Sequence, residues 1–321
     1  MRSGPFHLRM TTQTTGSDTP ARRSPGGAAA AAIGLMLSAS ACFALSDVLA
    51  KRAMDRYSGL EVVWFRYLGM AGVLAVMLFW RGAPARSGTP RLQAARGVGL
   101  VASALFYNLA LSAMPLAETT AIAFASPLFV TLASALVLRE RVDATAWAIV
   151  AAGFAGVLLV MQPGSAAFRP AALLALASAA SWAAAVAATR QSIEHDSVAT
   201  ATAYSSAIGL AVLSPLALPG MPLPDAREGA TLAAAALVWG SAQWLALEAF
   251  HRAQASRLAP FAYTQLLWAT LYSFLVFAHV PDGWAAVGIA VIIGSGVFAG
   301  WRSWRRGAAA DATGAHPVAG G

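Results

Sequence analysis

Ionisable side chains inside apolar runs are the residues of this sequence whose types could do chemistry. A charge at membrane depth costs about 2.5–3.5 kcal/mol on insertion scales, so it needs a reason. Asp47 and Lys51 stand four residues apart in the first apolar run, a spacing that puts them on one helix face where they can pair. Arg66 lies in the second run, Tyr107 and Asn108 in the third, and Glu118 opens the fourth. Alternating helix directions gather these groups at one end of a helical bundle. Such a cluster suits a gate or part of a solute path. The bland alternative is an interfacial salt bridge with snorkelling ends, and Lys51 and Glu118, nearest the span ends, fit it best.

A second set is aromatic. Trp239, Gln243, Trp244 and Glu248 share one run, with His251 and Arg252 following. The next run carries Tyr263, Thr264, Gln265 and Trp268, and Trp182 lies in an earlier one. Taken singly, each tryptophan reads as packing. Together with Gln243 and Gln265 they can wall a cavity for a flat or amphipathic solute. Ser126-Pro127 falls near the middle of the fourth run. Proline removes a backbone hydrogen bond and kinks a helix, so the pair is either a structural kink or a hinge beside the solute. If protons are coupled to movement, Asp47, Glu118 or Glu248 must titrate, because no histidine sits deep in a span.

Other chemistries are poorly served. The single cysteine, Cys42, excludes a disulfide framework and any cysteine-based zinc site. No nucleotide-binding loop is present, and no cofactor is expected. Gly294-Ser295-Gly296 would suit an intramembrane protease only with a deep histidine, and His251 and His279 lie at span ends. A lipid-modifying membrane enzyme would need a catalytic set facing one leaflet, and a passive channel a repeated charged ring; neither is visible.

The elements that must position these residues follow from composition. The 321 residues are 58% apolar and only 11% charged, with net charge +8. Soluble domains carry about 25% charged residues, so an all-α membrane protein is expected. The basic residues are spread over short loops with no basic domain, which argues against nucleic acid. Ten spans are predicted, at 29–53, 61–80, 94–113, 117–138, 143–162, 170–190, 199–219, 230–250, 256–278 and 284–302. The clearest two lie in Pro115–Gly164, joined by the charged knot Arg139-Glu140-Arg141-Val142-Asp143. An acid there answers the helix dipole, and the knot reads as scaffolding. Residues 1–28 and 304–321 are expected as loose tails. With the N-terminus inside, inner segments outnumber outer ones in basic residues by about three to one, so both termini are expected in the cytoplasm.

A shift of 138 residues aligns the chain weakly with itself: Ser40 on Ser178, Arg52 on Arg190, Leu109 on Leu247, Ala117 on Ala255, Arg141-Val142 on His279-Val280, Gly156 on Gly294. The expected units are 29–164 and 168–303. Five spans per unit is an odd number, so the second unit must be inverted. Inverted repeats are a mark of secondary transporters, with the solute held near the midplane between the halves.

The first unit resembles the EamA family of the drug/metabolite transporter superfamily. The resemblance rests on Trp64-Phe65-Arg66-Tyr67, Pro115-Leu116-Ala117-Glu118, Ala121-Ile122-Ala123-Phe124, Ser126-Pro127-Leu128, the Arg139-Glu140-Arg141-Val142 turn, Trp147 and Gly153-Phe154-Ala155-Gly156-Val157. It covers roughly residues 30–303. The second unit departs, with Ala278-His279 where the first has Glu140-Arg141 and Gln265 in place of Pro127. The resemblance implies ten helices in two inverted five-helix repeats and alternating-access transport of a small organic metabolite across the bacterial inner membrane. Solutes of the S-adenosylmethionine or riboflavin type are implied first, with amino-acid or other metabolite export as the alternative within the family. The expected partners are a small-molecule substrate and the lipid bilayer, with a homodimer left open.

Overall fold

The computed structural model describes residues 25–81, 86–136, 143–192, 196–253 and 255–312. The charged knot Arg139 to Val142, most of the first expected tail and half of the second lie outside the described residues. Twelve helices and no strand occur among those described. They are α1 (Pro25–Ala53), α2 (Gly59–Arg81), α3 (Pro90–Ala113), α4 (Leu116–Ala123), α5 (Ser126–Leu136), α6 (Ala144–Met161), α7 (Ala172–Ser192), α8 (Val198–Ala217), α9 (Ala226–Arg252), α10 (Ala255–Ala262), α11 (Thr264–Phe277) and α12 (Gly283–Ala312).

Eight of these are long and apolar enough to cross a membrane unbroken. The other four pair up. Helices α4 and α5 form the fourth passage and α10 and α11 the ninth, each in two pieces, which gives ten passages. The continuous spans expected at 117–138 and 256–278 are thus both interrupted. Helix α12 also runs on to Ala312, past the expected end at 302.

The interruptions obey the repeat. Ser126 and Thr264, the first residues of α5 and α11, are related by the same shift of 138. So the second unit has its break despite Gln265 standing where the first has Pro127. The prolines act from opposite sides. Pro127 lies in the first turn of α5, where no N–H is needed, so it starts a new helix and does not bend an old one. Pro260 lies inside α10, ahead of the second break, where its missing N–H weakens the helix that is about to end. At the first break the backbone tightens: Ala125 N–H reaches the Ile122 carbonyl at 3.0 Å and Leu128 N–H the Ala125 carbonyl at 2.9 Å.

Packing is interleaved between the halves. Helix α1 lies along α9 and α3 along α7, which is one interface seen twice under exchange of the repeats. Helix α2 packs on α8, and α6 on α12. Small residues permit the close crossings: a methyl at Gly156 would stand 2.9 Å from the Gly288 carbonyl oxygen, and one at Gly69 2.4 Å from the Ala236 backbone.

We call the face where α1, α3, α6 and α11 end the upper face, and the opposite face the lower. Links between the halves close both. On the upper face Arg56 and Tyr57 bind Glu228 at 2.6 and 3.2 Å, and Gln162 binds Asp282 at 2.7 Å. On the lower face Asp196, just before α8, accepts from Ser87, Gly88, Thr89 and Gln93 at 2.7 to 3.0 Å. Burial opposes the charge of Asp196, but these donors, led by Gln93, outweigh it and hold the carboxyl below its ordinary value.

Arg96 is buried in α3, donating to Thr189 at 3.0 Å, to the Ala201 carbonyl at 2.9 Å and to Ser205. Pro90 opens α3, the position where proline is favoured, and so sets Arg96 well inside the helix.

The Asp196 clamp makes a prediction. Asp196→Ala leaves the buried Gln93 amide without its acceptor, and the loss is expected to be about 1–3 kcal/mol. A depressed carboxyl contributes stability above its ordinary value, and the contribution is lost as pH falls through the depressed one. The wild-type melting temperature should therefore fall below about pH 4, more steeply than that of Asp196→Ala. Parallel pH profiles would rule out a charged clamp.

Candidate functional site

Four passages bring polar groups to one level below the upper face. Asp47 lies six residues from the end of α1 and Tyr107 six from the end of α3, while Arg66 is seven past the start of α2 and Thr120 four past that of α4. At 1.5 Å per residue these depths are about 6–10 Å, so four separate helices deliver their side chains to one place. Arg66 donates to Asp47 at 2.7 Å, and the Tyr107 hydroxyl donates to the other Asp47 oxygen at 2.8 Å. Thr120 stands 2.9 Å from the same phenol oxygen. Asp47 is 4% and Arg66 2% exposed, so this is an ion pair removed from both water and lipid.

Across the repeat interface the Arg66 guanidinium carbon lies 6.0 Å from the centre of the Trp239 ring of α9. That ring rests on Tyr67 at 5.4 Å. The Arg66 Nε finds no partner among the described residues. Under the 138-residue shift the positions matching Asp47, Arg66 and Tyr107 are Ala185, Tyr204 and Leu245. The charged network therefore belongs to one half only.

The expected Asp47–Lys51 pair does not form. Lys51 turns to the carbonyls of Leu111 and Met114, both at 2.6 Å. These lie at the C-terminal end of α3, where carbonyls lack helical donors. Asp47 instead faces Arg66, 19 residues away. Glu118 pairs with His279 at 2.7 Å, so the start of α4 meets the end of α11 across the two halves.

The two helix breaks also meet. Phe124, at the end of α4, and Tyr263, between α10 and α11, bring their ring centres within 5.1 Å. Tyr263 is buried on Gly296 of α12, where a methyl would come within 1.9 Å of its ring. Ser126 and Pro127 follow directly in α5.

Other predicted residues are more dispersed. Asn108 is buried and donates to the Ala104 carbonyl at 2.7 Å; its backbone lies against Gly59. Gln243 is buried in α9, and the indole N–H of its neighbour Trp244 has no partner among the described residues. Trp182 and Gln265 are half-buried. Trp268 faces outward, 36% exposed, and stacks on Tyr272 at 5.9 Å. Glu248 binds Arg252 one turn along α9 at 2.7 Å.

A cavity of about 290 Å³ opens at the upper face. Lys51, Arg169, His279 and Ser273 supply its polar lining, with Met114 and Phe277 among its apolar walls. The sequence had not pointed to Ser273 or Arg169, because neither lies in a motif and only the fold brings α11 beside the loop ahead of α7. No group of metal-binding side chains occurs among the described residues.

Known proteins supply the context for this geometry. The EamA-like transporter family matches the chain twice, over residues 30–162 and 169–300. The S-adenosylmethionine uptake transporter of Rickettsia prowazekii (strain Madrid E) is 24% identical over 255 residues, 79% of this chain and 87% of that protein. The riboflavin transporter of Vibrio cholerae (El Tor Inaba N16961) is 32% identical over 190 residues, 58% of this chain and 62% of its own length. The pseudopaline exporter CntI of Pseudomonas aeruginosa (strain UCBPP-PA14) is 29% identical over 264 residues, 81% and 92%. One crystal structure superposes on 86% of this chain and 98% of its own with a TM-score of 0.61 at 20% identity, a likeness of fold. With its paired five-passage halves and two family matches spanning most of its length, this multi-pass membrane chain belongs to the EamA-like transporter family.

Proposed function

We propose that the protein moves a small organic metabolite of the S-adenosylmethionine or riboflavin type across the bacterial inner membrane by alternating access. The observation that carries this reading is the meeting of the two helix breaks at Phe124 and Tyr263. Broken helices at the contact of inverted halves are where transporters hold solutes and where the halves rock. Two short rigid pieces on each side of the contact can tilt separately, which a continuous helix resists.

In this reading the upper face is the outer one and both termini are cytoplasmic, in accord with the arginine-rich lower face. Asp47 is the coupling carboxylate, because Arg66 and Tyr107 hold it across three helices. A proton arriving at Asp47 would cancel the attraction that ties α1 to α2. Glu248, committed to Arg252 on its own helix, has less to transmit. Trp239, Gln243 and Trp244 of α9 line the route on the side of the second half.

The test is uptake of radiolabelled S-adenosylmethionine and of riboflavin into proteoliposomes of the purified chain under an imposed proton gradient. Saturable accumulation of one solute, abolished when the gradient is collapsed, is the expected result. Accumulation of neither, or equal uptake with and without the gradient, overturns the reading.

A further inference from the structure

We infer that the upper-face cavity binds the carboxylate of an amino-acid-type solute. The inference rests on the transport reading and narrows its substrate class.

Three donors converge there. Lys51 uses two of its N–H groups on the Leu111 and Met114 carbonyls. An ammonium has three, which leaves one for the cavity it lines. Arg169 gives one hydrogen bond to the Ala113 carbonyl at 3.0 Å and is otherwise exposed at the cavity wall. Ser273 of α11 is 1% exposed, and its hydroxyl has no partner among the described residues. A buried hydroxyl left unpaired is costly, and a ligand acceptor in the cavity relieves that cost. Glu118, beside the site, has one oxygen bonded to His279, and its other oxygen has no partner among the described residues.

An amino-acid-type solute carries an ammonium beside its carboxylate. Lys51, Arg169 and Ser273 suit the carboxylate, and the unpartnered Glu118 oxygen suits the ammonium. Phe277, Met114 and Leu116 add apolar wall, which fits a carboxylate carried on a carbon stem better than a free inorganic anion. The volume, about 290 Å³, is at the small end for a ligand pocket. Lys51 lies one helical turn above Asp47 on α1, about 6 Å. A carboxylate held at Lys51 therefore waits at the mouth of the buried network. Riboflavin has no carboxylate and gains nothing here, so the site favours the S-adenosylmethionine type.

The experiment is a thermal-shift and tryptophan-fluorescence titration of the full chain in detergent. The probes are S-adenosylmethionine and L-methionine, beside decarboxylated S-adenosylmethionine, L-methioninamide and inorganic phosphate. At least one carboxylate probe should bind about tenfold or more tightly than its partner lacking the carboxylate, a difference of about 1.4 kcal/mol, and phosphate should not compete. Arg169→Gln and Lys51→Met should each erase that preference, and Lys51→Arg should keep it. If Lys51→Met fails to fold, Arg169→Gln, at an exposed position, carries the test alone. Equal binding of paired probes, competition by phosphate, or no binding by either carboxylate probe overturns the inference. Uptake separates it from the reading beneath: riboflavin transport without carboxylate dependence leaves a transporter and removes this site, whereas carboxylate-dependent binding without transport keeps the site and removes the transporter.

Discussion

Arg66→Ala is expected to cost about 3–5 kcal/mol of stability and to abolish uptake. The physical reason is that a buried charge is tolerable only while its partner remains. With Arg66 gone, Asp47 is left at 4% exposure with the Tyr107 hydroxyl as its remaining donor. Asp47→Ala should do the same from the other side, stranding a guanidinium that already has an unpartnered Nε. The informative variant is the double replacement Asp47→Leu with Arg66→Met. Swapping a buried ion pair for apolar residues of similar volume is often neutral or stabilising by about 1–4 kcal/mol. The double variant should therefore regain the melting temperature that each single variant loses. In the proposed mechanism it should still fail to transport, because the coupling carboxylate and its cation are both gone. Measuring thermal unfolding and proteoliposome uptake on all four proteins separates the two roles. Full uptake by the double variant would mean that the pair only holds helices together.

Gly296→Ala is the second large effect expected, and it strikes the contact between the helix breaks. The added methyl would lie 1.9 Å from the Tyr263 ring, far inside any allowed approach. Tyr263 is 6% exposed and its ring also packs on Phe124, centres 5.1 Å apart, so the ring must shift within a packed site. Overpacking of this kind costs about 1–3 kcal/mol. Here that energy falls on the contact proposed to differ between the inward and outward states, and each 1.4 kcal/mol of bias moves their ratio about tenfold. Uptake should fall by about tenfold or more while the protein still inserts and purifies as a folded species. Adding Tyr263→Ala removes the clash and should restore stability. A Gly296→Ala protein with unchanged uptake would show that the Tyr263 seat on α12 does not take part in the transport cycle.

These two sites differ in how far the sequence announced them. The ten apolar runs were legible because membrane depth sets helix length directly. The repeat was legible as a constant 138-residue offset, and Ser126-Pro127 marked the first break. The second break was not announced by that rule, since Gln265 replaces Pro127 and the helix-weakening proline moves to Pro260, ahead of the break. The two breaks share a place in the repeat and the contact of Phe124 with Tyr263, but not a proline position.

Asp47 shows the other limit. The local four-residue spacing offered Lys51 as its partner, and i,i+4 geometry alone cannot weigh that offer against a residue on another helix. Lys51 sits near the end of α1 and meets the carbonyls ending α3. Asp47, one turn deeper, meets Arg66 and Tyr107. Arg96 shows the same limit: it falls in the expected third span, but only the fold supplies Thr189 and Ser205 as its partners.

By itself, then, the sequence determined the class of this protein: apolar run lengths, scarce charge and the inverted repeat are additive along the chain and survive without a fold. The tertiary structure alone decided which charge answers which, where the two breaks touch, and that Ser273, Lys51 and Arg169 share one cavity. Those facts depend on contacts between helices remote in sequence, whose energies no local spacing encodes.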